Sequence, residues 1–210
     1  MIAWTMLVAC SSEPVEFPSR LAPIEDNQAE WPGDGNSFPE EIQTAGGVYA
    51  SGDGYWGHGR GYLQADVDTV WTAAQNIDAC VDRREVDEWV VTEDTQPQFD
   101  VSYTITQTVF DLIRVEFDMT WVHERQMADA DDRTTRVVIQ SEKTDGSVFV
   151  GDLRGSLLLE EVEPGITSLE FVQVGTSSQR DQETSIAFVV DYFTDIKAIV
   201  TGVPLPEYER

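Results

Sequence analysis

Ile113-Arg114-Val115-Glu116-Phe117-Asp118-Met119-Thr120-Trp121 alternates apolar and polar side chains along its whole length. In an extended chain every second side chain shares a face. Ile113, Val115, Phe117, Met119 and Trp121 therefore point one way, and Arg114, Glu116, Asp118 and Thr120 the other. Such a run is a strand of an antiparallel sheet with one dry face and one wet face. The pattern spreads outward from it. Glu85–Thr92 and Phe99–Val109 precede it, the second with Val101, Tyr103 and Ile105 together. Thr134–Glu142, Phe149–Val162 and Ile166–Thr176 follow, separated by an acidic tip at Ala128–Arg133 and by turn signals at Asp145-Gly146 and Pro164-Gly165. Tyr55–Gln64 reads as one more strand, weakened by Gly57, Gly59 and Gly61.

The period then changes. From Arg180 to Thr201, Ile186, Val189, Val190, Phe193, Ile196 and Val200 recur every three or four residues. This predicts a long helix with a broad apolar stripe. Gly202 suits its C-cap, and Pro204 prevents continuation. A shorter helix is predicted after Asp66, whose carboxylate can cap it, with Val67, Val70, Trp71 and Ala74 on one side. Residues 78–84 read as a second short helix or turn. The class is α+β: a curved antiparallel sheet of about seven strands wrapped around a long C-terminal helix, which covers the apolar concave face.

This order, with Gly59-Arg60-Gly61-Tyr62-Leu63 leading into Asp66-Val67-Asp68-Thr69-Val70-Trp71, resembles the START-like superfamily. That group has the helix-grip fold of lipid-transfer domains, pollen-allergen-type proteins, aromatic polyketide cyclases and ubiquinone-binding chaperones. The resemblance covers residues 47–203. It implies a cavity between sheet and terminal helix that receives an apolar ligand; such cavities are typically ~300–1,000 Å³. The inward faces supply the candidate lining: Tyr103 and Ile105, then Phe117, Met119 and Trp121, then Ile139 and Leu157, and Val189 and Phe193 on the helix. His123 shares the face of Trp121 and is a candidate to bond a ligand head group near the mouth. The resemblance implies no cofactor and no catalytic residue.

Ahead of the domain, Leu7-Val8-Ala9-Cys10 ends a short apolar run and is followed by Ser11-Ser12-Glu13-Pro14. Bacterial lipoprotein signals end this way, the cysteine becoming the lipidated residue. Residues 1–9 contain no Lys or Arg, so the basic n-region is missing and the signal is partial. On this reading Cys10 carries the acyl anchor. Residues 10–45, acidic and punctuated by Pro14, Pro18, Pro23, Pro32 and Pro39, form a disordered tether. Residues 46–203 are the domain and 204–210 a tail. The expected location is the bacterial cell envelope, lipid-anchored, with Ser11 after the cysteine pointing to the outer membrane.

Composition narrows the partners. The formal net charge is −26, from 13 basic and 39 acidic residues. Nucleic acids and anionic membrane surfaces are repelled by such a chain. Apart from Cys10 there is only Cys80, set among Ile77, Ala79 and Val81, which reads as a small buried apolar residue. Two histidines, His58 and His123, exclude a multi-histidine metal site. Asp129, Asp131 and Asp132 lack the glycine and terminal glutamate of a calcium loop. Gly57, Gly59 and Gly61 are not followed by the Lys-Ser/Thr of a phosphate loop. Glu161 and Glu170 remain as candidate acid–base groups in the cavity. The expectation is membrane-tethered binding or transfer of a lipid, sterol or quinone-class molecule. The alternatives are a cyclase- or hydrolase-type enzyme using the same cavity, and a non-binding envelope interaction module whose interior is filled by its own side chains.

Overall fold

The computed structural model describes residues 16–28, 38–51, 54–110, 112–176 and 181–209; the expected signal at 1–9 and the expected lipidation site Cys10 lie outside them. Strands β1 (Gln43–Val48) and β2 (Tyr55–Leu63) are followed by helices α1 (Val67–Ala74) and α2 (Ile77–Cys80). Then come β3 (Glu88–Glu93), β4 (Val101–Phe110), β5 (Arg114–Ala128), β6 (Thr134–Gly146), β7 (Leu153–Glu163) and β8 (Ile166–Gly175), and last the helix α3 (Gln182–Thr201). The strands make one curved antiparallel sheet in the order β1-β2-β8-β7-β6-β5-β4-β3. The chain leaves β2, crosses the concave face through α1 and α2 to the far edge, and meanders back until β8 pairs with β2. The sheet has eight strands where about seven were expected. The extra one is β1, whose sequence QTAGGV has no apolar alternation to announce it.

The position of α3 is fixed by three glycines. Gly57, Gly59 and Gly61 of β2 face the helix at alternate positions, opposite Ser185, Val189 and Phe193, one helical turn apart. A Cβ on Gly57 would lie 2.6 Å from the Ser185 backbone carbon; on Gly59, 2.4 Å from a Val189 methyl; on Gly61, 2.4 Å from the Phe193 ring. The glycines that weaken β2 as a strand are thus the groove into which the helix seats. The ends of α3 are capped as its sequence requires. The Asp181 carboxylate accepts from the Glu183 and Thr184 N–H groups, and Gly202 adopts the left-handed conformation at φ 71°.

Two further features hold the domain closed. Arg83 and Arg84, after α2, reach Asp195 and Asp191 on α3, Arg83 at 2.6 Å. Both guanidinium groups also lie over the Tyr208 ring, and the Tyr208 hydroxyl donates to Asp195 at 2.8 Å. Burial raises the Asp195 carboxyl above the usual range, against the pull of Arg83 and Tyr208. The tail expected at 204–210 is therefore fastened through Tyr208, as Pro206 and Glu209 carbonyls also accept from Arg83 and Arg84.

The second feature is a strap on the convex face. Within the stretch expected as tether, residues 16–28 cross the sheet. Leu21 donates its N–H to Glu124 and accepts from Gln126; Ile24 donates to Ser156; and Asn27 donates to the Ser156 carbonyl. Leu21 is buried with Phe99, Val122, Val138 and Leu158, and Phe17 packs edge-on against Phe99. The face read as wet is dry there. Those apolar side chains on the outer face need a cover, and the strap supplies it.

Substituting the glycine groove tests its role. Gly57→Ala meets helix backbone, which cannot step aside, and is expected to cost about 3 kcal/mol in urea unfolding. Gly59→Ala and Gly61→Ala meet movable side chains and should cost about 1–2 kcal/mol. Gly165→Ala, with φ +79° but nothing within 4 Å, serves as the control for backbone strain alone. A ranking that places Gly165→Ala worst removes the argument for close approach.

Candidate functional site

The site predicted from the sequence is the space beneath α3, and the structure gathers its candidates there. Tyr103, Ile105, Phe117, Met119, Trp121, Ile139, Leu157, Val189 and Phe193 all belong to one buried cluster, and none is more than 5% exposed. His123, expected near a mouth, is wholly buried. The sheet's inward alternation continues from Trp121 to His123, and this places both beneath the helices. Ile113 departs from the expectation. It precedes β5, at the β4–β5 turn, and is exposed.

α3 lies directly on β1, β2 and β8 and against α1 and α2. Long side chains bridge from it to the β4–β5 wing. Trp121 is flanked by two nearly parallel rings: Tyr103 at 6.4 Å and 18°, and Tyr192 at 6.2 Å and 6°. Tyr192 in turn tilts against Phe171 at 4.9 Å, and Phe188 closes the group. The sequence reading missed Phe188 and Tyr192. Their one-turn spacing on the helix was the available signal, hidden because the stripe was drawn for a helix buried on one side only.

A chain of four polar side chains runs through this apolar interior. The indole N–H of Trp71 donates to His123 Nδ1 at 3.1 Å. Because an indole only donates, Nδ1 is the acceptor and the imidazole proton sits on Nε2. Nε2 then donates to the Tyr103 hydroxyl, 3.3 Å away. The hydroxyl is left to donate to Cys80 Sγ at 3.2 Å, and the thiol to the Ala74 carbonyl. Every member has one role. Burial holds His123 down to about 3 and pushes the Cys80 thiol up to about 12; Tyr103 is raised by burial as well. Each group is kept uncharged, and all the shifts move away from neutral pH. The chain is suited to hold a fixed orientation, not to exchange protons near pH 7.

One donor stands outside the chain. The Trp121 Nε1 is buried with no hydrogen-bond acceptor. A buried polar group left unpaired costs about 1–3 kcal/mol.

The other expected groups lie elsewhere. Glu170 is on the convex face, 2.8 Å from His58 Nε2, and Glu161 is paired with Arg133. Neither reaches the interior. The Asp129 carboxylate is used within its own hairpin, by Arg133 and by the Asp131 N–H. Among the described residues no His/Cys/Asp/Glu group could hold a metal ion. Cys80 is a buried free thiol.

A cleft and an apolar loop cluster lie at opposite ends of the strands. The cleft, of about 260 Å³, is lined by Ile77, Val91, Val101 and Tyr103, with Glu93, Asp94 and Asp100 among its polar residues. At the opposite end of the strands, the β4–β5 turn exposes Phe110, Leu112 and Ile113, and the β6–β7 loop exposes Val148 and Phe149. The two loops are neighbours, since the Ser147 N–H donates to the Glu116 carbonyl. Leu112 is 95% exposed. Five apolar side chains in water at one end of a domain are uncommon and mark a contact surface. No helix among the described residues is long and apolar enough to cross a membrane.

The buried histidine gives a pH test. Unfolded, His123 takes a proton near pH 6.5. Folded, it refuses one until about pH 3. Its contribution to stability is therefore full above pH 6.5 and is lost as pH falls through that window, where the unfolded state binds the extra proton. Urea midpoints are expected to fall more steeply with acid in the native chain than in His123→Gln. Equal slopes would mean that His123 titrates as an exposed imidazole.

No family model and no curated protein matches the chain. Solved structures do. The human StarD13 lipid transfer and protein localization domain superposes with a TM-score of 0.54 at 11% identity, over 78% of this chain and 86% of that one. Human StAR-related lipid transfer protein 5 gives 0.53 at 11% identity, over 79% and 85%. A STAR-related lipid transfer protein fragment from Xanthomonas axonopodis gives 0.51 at 14% identity, over 78% and 93%. At these identities the likeness is one of architecture, and the sheet, the crossing helices and the gripped terminal helix give this chain the START-like helix-grip fold.

Proposed function

We propose that the domain binds an apolar small molecule between its sheet and α3 and passes it to or from a membrane or another apolar carrier. The observation that carries this reading is the pairing of an apolar, uncharged interior with five exposed apolar side chains on adjacent loops at one end of it. A chain with a formal net charge of −26 has no electrostatic use for exposed Phe110, Leu112, Ile113, Val148 and Phe149. They suit contact with an uncharged, greasy surface, through which an apolar cargo moves without entering water. Solved proteins of the same fold include lipid-transfer proteins, and this supports the same class of cargo here. Lipid, sterol and quinone are the candidate classes. Lipidation at Cys10 and a place in the cell envelope belong to the same proposal and keep the domain beside its donor membrane.

The close packing of the interior favours one other reading, a module that binds no small molecule and uses the apolar loops to contact a protein. Native mass spectrometry of protein purified from its own host separates the two. A retained apolar molecule of defined mass is expected. Vesicle-to-vesicle transfer of that molecule should slow about tenfold in Leu112→Ser/Phe149→Ser, while far-ultraviolet circular dichroism is unchanged. Recovery of an empty protein that takes up no labelled lipid, sterol or quinone would sink the carrier reading.

A further inference from the structure

We infer that Trp121 selects among apolar ligands, and that the preferred ligand carries a hydrogen-bond acceptor, a carbonyl, ester or hydroxyl oxygen, that takes the Trp121 indole N–H. This rests on the reading of the interior as a ligand site and names the chemistry of its occupant. Trp121 is 2% exposed, and its Nε1 has no acceptor. The flanking rings cannot serve. An indole N–H lies in the ring plane, and Tyr103 and Tyr192 are within 18° and 6° of parallel to it, so the bond runs past their faces and not into them.

The neighbouring polar groups cannot serve either. Trp71, His123, Tyr103 and Cys80 are each committed in the chain that ends on the Ala74 carbonyl, and the Ser141 hydroxyl, on the strand position opposite Trp121, makes no bond to the indole. Tyr192 donates to the same carbonyl. An oxygen-bearing ligand arriving at these rings finds one vacant donor among them. A pure hydrocarbon leaves that donor unpaired. The described space nearest to it is the 260 Å³ cleft that ends on Tyr103, the ring stacked on Trp121.

The test uses a matched pair of probes, acetonaphthone and ethylnaphthalene, alike in shape and differing in one acceptor oxygen. Binding is read by displacement of a fluorescent naphthylamine from the full chain. The native protein should bind acetonaphthone about tenfold more tightly than ethylnaphthalene. Trp121→Phe keeps a ring and removes the donor; it should bind ethylnaphthalene undiminished and lose the preference. In a ¹H–¹⁵N spectrum the indole signal missing from Trp121→Phe identifies Trp121, and that signal should move downfield with acetonaphthone only. Equal affinity of the native protein for both probes would overturn the role of Trp121 and leave the carrier reading standing. Binding of neither probe would overturn both.

Discussion

The approach of one helix to one strand governs this structure. α3 meets β2 over three glycines, and the turn spacing of Ser185, Val189 and Phe193 matches the pleat spacing of Gly57, Gly59 and Gly61. Side chains at those strand positions would lift the helix off the sheet. With the helix seated, the remaining wing of the sheet has to curl toward it, and the interval is spanned by aromatic residues from both sides. Strand β2 is a poor strand by propensity because it is specialised as a seat. Its two neighbours, β1 and β8, hold it in the sheet where its own side chains cannot.

The same arrangement sorts charge. Acidic residues cover the outside, and the two that face inward from α3, Asp191 and Asp195, are met by Arg84 and Arg83 and roofed by Tyr208. Buried ion pairs offset their desolvation only when their geometry is good and their remaining valences are bonded. Arg84 meets that condition with two nitrogens on Asp191, whereas Arg83 places one nitrogen on both Asp195 oxygens, beside the Tyr208 hydroxyl, and leaves its buried Nε without an acceptor. Deeper in, His123, Tyr103 and Cys80 are neutral and mutually bonded, so the interior presents no charge to an apolar occupant. Among the aromatic donors there, the Trp121 indole is the one without an acceptor.

Most of this was legible in the sequence. Strict alternation through Phe117, Met119 and Trp121 fixed which side chains face inward, because period 2 leaves one choice once a face is dry. The terminal helix was legible from its period and its caps. Other features were not, and for definable reasons. Strand β1 has no apolar pattern and is held by pairing with β2. Residues 16–28 are polar and proline-bearing, and only Leu21 and Phe17 betray that they dock; their partners Val122, Val138 and Leu158 are apolar residues on the nominally wet face. Asp191 and Asp195 look solvent-directed on a helical projection, and only the distant Arg83-Arg84 pair makes their burial tolerable. The bonding of His123 joins residues from α1, β4 and β5, and no local pattern encodes it.

The seat is formed early in the chain and the helix that fills it comes last. Until α3 has left the ribosome, β2 is an uncovered, glycine-weakened strand and the aromatic wing has nothing to close upon. The meander from β3 to β8 can pair progressively, but each step encloses a hydrophobic surface that only the twenty residues of α3 can cover. Completion of this domain therefore waits on contacts of long sequence separation, which are slow to form. In the interval the nascent chain depends on its many acidic side chains, whose mutual repulsion opposes association with other copies of itself.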